Sequence, residues 1–452
     1  MTKQRRLFSV YLIYFIFALL MHSLLITIEQ SIYLYAIDTS KAFILLVMNY
    51  IGVLVAPIFF TSVLAKIKYK HLSIALLAFV GIFCVFMPFA KDLYFPKFLA
   101  MLIGFAYSCV RISSYAFLKT IEQEESLYVS LLNKLDAMFA LGFVVTWLML
   151  GASVSLGISW LAFYWLTSGL ILISILVFIF TQFDELAQPK TMQVVVYRLA
   201  DSLAVLKDPQ IIINRSVIFF KDVLDSVLAI PKFLYYSMMI MFSLCVVLIS
   251  IIQMHFVKYT PYLSVLFNNL PSINAYLLIS TFFAIFLGRV FVSFIIPIFS
   301  AVPVLIASLL ALIGVTILLS FQTDTLIEAS SIAQFNDLPS AFWLVPMIGF
   351  VWAPVMPTLC GVVLYHIDTK RIYHIAGLVI LIIFGIEAVW DDISSAIFDQ
   401  FNLNIALILG VIPIILLMII SVLFLNDLKN KEQGNTTEAG QMNTEELTIS
   451  IK

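Results

Sequence analysis

Residues 7–28 read LFSVYLIYFIFALLMHSLLITI, without a single Asp, Glu, Lys or Arg. An α-helix rises about 1.5 Å per residue, so a run of this length crosses the ~30 Å hydrocarbon core of a bilayer. Lys3, Arg5 and Arg6 in front of it look like the start of a signal peptide. The apolar run is too long for one, however, and no small-residue cleavage site follows, so it is predicted to be a retained first membrane helix. Extended to its limits, this span covers residues 7–36. Runs of the same kind follow at 41–65, 72–91, 95–120, 127–151 and 157–182. After a polar stretch they resume at 233–258, 272–297, 301–321, 339–365, 372–397 and 403–426.

The composition agrees with a membrane protein. Of 452 residues, 63% are hydrophobic and 11% charged, where a soluble domain has about 45–50% and about 25%. Even a large soluble domain buries only ~75% of its surface, too little to hide this much apolar area. Long unbroken runs, rather than short alternating ones, select helices over a β-barrel. Net charge is −1, with no basic stripe for nucleic acid. Cys84, Cys109, Cys245 and Cys360 are far apart, and none has metal-ligand or disulfide spacing. The sequence holds no GxSxG, HExxH or GxxxxGK[ST], so the expectation is a non-enzyme that needs no cofactor and is not driven by ATP.

Basic residues orient the chain. With the N-terminus inside, the outer loops hold only Lys41, Lys91, Lys97 and Lys258. Arg111, Lys134 and Arg289 fall within spans, and the other Lys and Arg are cytoplasmic. Both termini are therefore expected in the cytoplasm, and the setting is read as a bacterial inner membrane. The expected organisation is an N-terminal six-helix bundle over 1–182, a cytoplasmic central loop over 183–232, a C-terminal six-helix bundle over 233–426, and a disordered tail over 427–452. The halves echo one another weakly. Gly104-Phe105-Ala106-Tyr107 in span four matches Gly349-Phe350-Val351-Trp352 in span ten, and Gly52 matches Gly288. Six spans, a loop and six spans with parallel repeats make a transporter architecture.

On these features the chain resembles the major facilitator superfamily over residues 7–426. Several stretches are similar to its fucose–galactose–proton symporter branch. They are Phe286-Leu287-Gly288-Arg289-Val290-Phe291, Met356-Pro357-Thr358-Leu359, Leu132-Asn133 followed by Asp136 and Gly142, and Pro57 followed by Lys66, Lys68, Tyr69 and Lys70. Two departures stand beside them. The loop after span two ends in Lys66 but lacks the superfamily's glycine and aspartate, and span four carries Arg111 where the branch has an acid. The resemblance implies twelve helices in two pseudo-symmetric bundles that rock about a central site.

Charges at bilayer depth are costly and mark function by default. Arg111 and Asp136 lie nearly equidistant from the loop joining spans four and five, at one depth near the membrane middle, so they can form an ion pair. That pair is either a static structural bridge or a switch linked to substrate or proton. Glu29, Asp136 and Glu387 are the candidate proton carriers, since a partly desolvated carboxyl can load and release a proton. Arg111, Asp136, Asn133, Asn49, Tyr50, Gln253, Trp352 and Thr358 are the candidate cavity residues. Arg289, Pro57, Lys66 and Pro357 are assigned to gating or structure, with Arg289 snorkelling or meeting helix ends. Lys134 is two residues from Asp136 and points the other way. The functional expectation is proton-coupled uptake of a small polar solute by a monomer. A proton-antiport exporter of the same fold and a non-transporting sensor or scaffold stay open.

Overall fold

The computed structural model describes residues 2–62, 67–183, 237–266, 271–322, 340–367 and 369–425. Lys66, the tail, and all of the expected central loop except residue 183 lie outside the described residues. Those described form helices and connections, with no strand among them. In chain order, α1 is Thr2–Leu34, α2 Ile44–Ser62, α3 Tyr69–Phe86, α4 Tyr94–Ile121, α5 Glu125–Ser155 and α6 Ala162–Phe180. Then come α7 (Ser237–Leu266), α8 (Pro271–Phe299), α9 (Ala301–Phe321), α10 in two pieces (Leu344–Trp352 and Val355–His366), α11 (Thr369–Gln400) and α12 (Asn404–Leu425). Among the described residues, ten segments are long and apolar enough to cross a membrane, and shorter apolar stretches, Ile44–Ile58 and Ile372–Glu387, fill the positions of α2 and α11. The protein is an all-helical integral membrane protein.

Polarity is distributed as lipid demands. Exposed side chains include Phe79, Leu172, Phe180, Phe294, Leu318 and Leu423, while Asn49, Arg111, Asn133, Asp136 and Glu387 are buried. No water reaches the bilayer core, so polar atoms must be satisfied within the bundle. Short hydroxyls do this locally: Ser113, Thr146, Thr167 and Thr316 each donate to the carbonyl four residues earlier. The four cysteines are buried free thiols.

Helix packing repeats between the halves. Within the first, α2 packs on α4, α1 on α5 and α3 on α6; within the second, α8 packs on α10, α7 on α11 and α9 on α12. Each pair maps onto its partner by a shift of six helices. The contacts between halves obey the same shift: α2 meets α11 as α8 meets α5, and α4 meets α11 as α10 meets α5.

Glycine makes the tightest crossings possible. A Cβ on Gly52 would strike the Met101 carbonyl, and one on Gly104 the Asn49 carbonyl, at the α2–α4 crossing. At α8–α10, a Cβ on Gly288 would strike the Phe350 carbonyl, and one on Gly349 would lie 3.0 Å from the Thr281 carbonyl oxygen. With lipid outside, helices gain by close backbone approach rather than by hiding apolar surface, and small residues permit it. Gly288→Ala should therefore destabilise the protein by about 1–3 kcal/mol through overpacking. Gly151→Ala, where nothing lies within 4 Å of the new methyl, should be neutral. Thermal unfolding of the two variants in one detergent checks the contrast.

α10 breaks where Pro354 and Pro357 each remove an N–H from the helical ladder. The carbonyls left without those donors are Phe350 and Ala353, four residues earlier. Phe350 oxygen faces the bare Cα of Gly288, and Ala353 oxygen accepts from Arg289 Nε at 3.0 Å. Pro357 and the Gly288-Arg289 pair thus serve one junction.

Candidate functional site

α4 carries a polar stripe at four-residue spacing: Tyr107, Arg111, Tyr115 and Lys119. Residues four apart stack on one helix face. The middle of the stripe meets Asp136 on α5. Arg111 Nη2 stands 4.0 Å from Asp136 Oδ2, both buried. At this distance the contact is an ion pair without a close hydrogen bond, so the tyrosines do the hydrogen bonding. Asp136 Oδ1 accepts from the hydroxyls of Tyr14 on α1, at 3.0 Å, and Tyr115, at 3.3 Å. The Tyr115 hydroxyl accepts in turn from Arg111 Nε at 3.1 Å, and the Tyr107 hydroxyl accepts from Arg111 Nη1 at 3.4 Å. Tyr115 therefore bridges the two charges.

The site lies against the other half. Arg289 Nη1 donates to the Asp136 backbone carbonyl at 2.6 Å while its Nε holds the α10 break. Arg289 was expected to snorkel or to meet helix ends. It is half-buried at the seam between halves and meets a helix end there, because the freed Ala353 carbonyl closing the first piece of α10 and a main-chain oxygen on α5 lie within reach of one guanidinium. Asn133 Nδ2 donates to Val129 oxygen at 3.0 Å and to Thr358 Oγ1 at 3.1 Å, crossing the same seam. On the α2–α11 side of the seam, Tyr50 meets Phe384 edge-on at 5.6 Å and Pro57 packs on Gly377.

Two clusters flank the charges. Lys3 binds Glu122, Arg6 the Gln182 carbonyl, and Lys70 the carbonyls of Ile179 and Thr181, which gathers α1, α3, α4 and α6 at a basic end. There Lys119 donates to the carbonyls of Leu364, Tyr365 and Ile367, closing the C-terminus of α10 from the opposite half. A cation suits a helix C-terminus, where the last carbonyls have no internal donors. The Tyr365 hydroxyl donates to Gln123 oxygen at 2.6 Å, and His366 Nε2 lies 3.3 Å from Glu125 Oε2. On the other side of the charges, His22 packs edge-on against Phe139 and Phe143, at 4.8 and 4.7 Å. Phe143 stacks on Phe282 of α8 with ring centroids 3.5 Å apart.

The remaining expected residues separate. Glu387 on α11 is buried and accepts from Gln253 Nε2 of α7 at 3.0 Å. Asn49 is taken up by the α2–α4 crossing, where Nδ2 donates to Ala100 oxygen at 3.0 Å. Trp352 is half-buried beside the α10 break. Glu29 rides on α1, and its side chain lies outside what the structure describes. Sequence reasoning missed Tyr14 and Lys119. The four-residue spacing that links Lys119 to Arg111 was a usable signal, whereas nothing in the sequence ties Tyr14 to Asp136.

No protein-family model and no curated protein matches the sequence. Solved structures do. The E. coli fucose:proton symporter FucP superposes with a TM-score of 0.65 at 14% identity, over 94% of this chain and 99% of that one. The human organic anion transporter MFSD10 gives 0.65 at 13%, over 93% and 100%. The proton:xylose symporter XylE gives 0.61 at 12%, over 91% and 94%. The chain has the fold of the major facilitator superfamily transporters.

If the Lys119 contacts hold the basic end shut, Lys119→Met should open it. A cysteine introduced at Val129 should then react several-fold faster with a membrane-impermeant maleimide applied from that side than it does with Lys119 present.

Proposed function

We propose that this chain is a secondary transporter, moving a small polar solute by alternating access and coupling its uptake to protons. The observation that carries the reading is the Arg111–Asp136 pair, 4.0 Å apart and bridged by Tyr115, at the seam between halves. An ionised Asp136 is the counter-charge of Arg111. Once Asp136 takes a proton, the guanidinium needs another acceptor, because a buried unpaired charge is costly. A carboxylate or a hydroxyl-rich face on the solute meets that need, and a planar fork of donors suits it. Loss of the proton restores the pair and displaces the solute. Arg289 couples the change at Asp136 to α8 and α10, which belong to the other half.

In this reading Glu387, with Gln253, is a second proton station, and Glu29 a third. Asn133, Thr358, Asn49, Tyr50 and Trp352 border the path. Pro57, Pro357 and Arg289 act where helices cross between halves or break, and Lys66 is assigned to gating with them. The rocking bodies are 1–182 and 233–426, joined by a cytoplasmic 183–232 and followed by the tail 427–452. The protein works as a monomer in a bacterial inner membrane, with both termini in the cytoplasm. The sugar and organic-anion transporters that share the fold suggest the first solutes to try.

The test is uptake by proteoliposomes across an imposed pH gradient, with a panel of monosaccharides and small carboxylates. Acid outside should drive accumulation that a protonophore abolishes. Asp136→Asn should reduce accumulation by at least about ten-fold while sparing solute exchange, and Arg111→Ala should abolish both. Accumulation indifferent to the gradient overturns proton coupling. Uptake driven by the opposite gradient favours the exporter, and solute binding without flux favours a sensor.

A further inference from the structure

Among the described residues, Lys134 is an intramembrane charge that the transport site leaves unused. It is half-buried on α5 and points away from Asp136. Leu127 and Leu141, seven residues either side of it, are also half-buried, and Leu148 is exposed, so this strip of α5 faces lipid. Among the described residues no carboxylate or carbonyl takes its ammonium. The nearby acids are engaged elsewhere: Glu122 by Lys3, Glu125 by His366, and Asp136 by its tyrosines. Its partner is the ring of Phe294 on α8, with Nζ 5.1 Å from the centroid. Phe294 is 63% exposed, and Phe291 and Ile298 beside it are exposed too.

The depth of this contact is informative. α5 and α8 run antiparallel, as Phe143–Phe282, Asp136–Arg289 and Ser130–Ser293 follow one another toward the basic end. At 1.5 Å per residue, the 31 residues of α5 and 29 of α8 exceed the ~30 Å hydrocarbon core by roughly 7 Å at each end. Lys134 has its Cα about 13 Å from the start of α5, whereas Phe294 lies about 7 Å from the end of α8. The contact with Phe294 therefore draws the ammonium from the depth of the Lys134 Cα toward the basic end, in the direction of the headgroups, as does the N-terminal lean of side chains on α5. Lysines snorkel in this way to meet polar headgroups.

We propose that Lys134 and Phe294 hold an anionic phospholipid on the exposed face where α5 meets α8, in the leaflet at the basic end. The lipid phosphate takes the ammonium, and the acyl chain lies along Phe291 and Phe294. α5 and α8 belong to different halves, so this lipid sits across the seam along which they move. The proposal needs the chain to span a bilayer and does not depend on the solute or its coupling.

The test measures melting temperature of the full-length protein in detergent, titrated with phosphatidylglycerol or with phosphatidylcholine of the same acyl chains. Phosphatidylglycerol should produce a saturable rise that phosphatidylcholine does not. Lys134→Leu and Lys134→Gln should melt like the parent in phosphatidylcholine and lose the rise, whereas Lys134→Arg should keep it. Equal effects of the two lipids on the parent overturn the proposal. So does a rise retained in Lys134→Leu or Lys134→Gln, or one reproduced by glycerol 3-phosphate alone.

Discussion

A carboxylate in the middle of a membrane protein must be answered by donors and a counter-charge, and the interior is organised around that demand at Asp136. Helices α1, α4 and α8 each send it a side chain: Tyr14, the Arg111–Tyr115 pair, and Arg289 to its backbone. The carboxylate is held without a tight salt bridge. Two phenols share one oxygen while the guanidinium stands 4.0 Å from the other. A close bidentate pair is costly to part in a low dielectric, since each charge would be left uncompensated. A pair mediated by tyrosine leaves hydroxyls that can turn to either partner.

The second constraint is the backbone itself. Inside a bilayer a carbonyl that loses its helical donor finds no water. The prolines of α10 create two such carbonyls, and on α8 Arg289 donates to one of them, Ala353 oxygen, while Gly288 lets the other, Phe350 oxygen, approach its bare Cα. Because Arg289 also reaches Asp136, the junction that mends α10 is the one that joins the halves. The Gly52–Gly104 and Gly288–Gly349 crossings carry the same logic to both halves: backbones approach as closely as glycine allows, and the approach fixes α2 on α4 and α8 on α10. On this frame the seam is layered, with Lys119 and Tyr365 at the basic end, the charges in the middle, and the Phe143–Phe282 stack beyond.

Much of this was legible in the residues. Span positions follow from apolar runs, and most helices agree with them to within a few residues. α7 runs further, to Leu266, and α1 begins at Thr2 because Lys3 and Arg6 have partners at the ends of α4 and α6. The repeat was visible in Gly52 with Gly288 and Gly104 with Gly349, because a crossing that tolerates only glycine leaves the same letter in both halves. Arg111 and Asp136 could be brought to one depth from helical rise alone. Tyr14 could not, since it lies more than a hundred residues from its partner and no spacing links them. Asn49 reads as a cavity residue because polar side chains on spans seek partners, and its amide finds one in the Ala100 carbonyl of the adjacent helix, which no spacing in the sequence links to it.

The division has a physical cause. Hydropathy, helical rise and the placement of basic residues act along one helix or at its ends, so the sequence by itself determined the all-helical membrane class, the order of spans and the shared level of Arg111 and Asp136. Which faces of two helices meet depends on the packing of many side chains at once. Only the tertiary structure decided that Tyr115 bridges Arg111 to Asp136, that Arg289 joins the halves at a proline-broken helix, and that Lys119 closes the end of α10. Apart from the Arg111–Tyr115 bond within α4, these contacts pair residues from separate helices, and a donor finds its acceptor there only after the helices have packed.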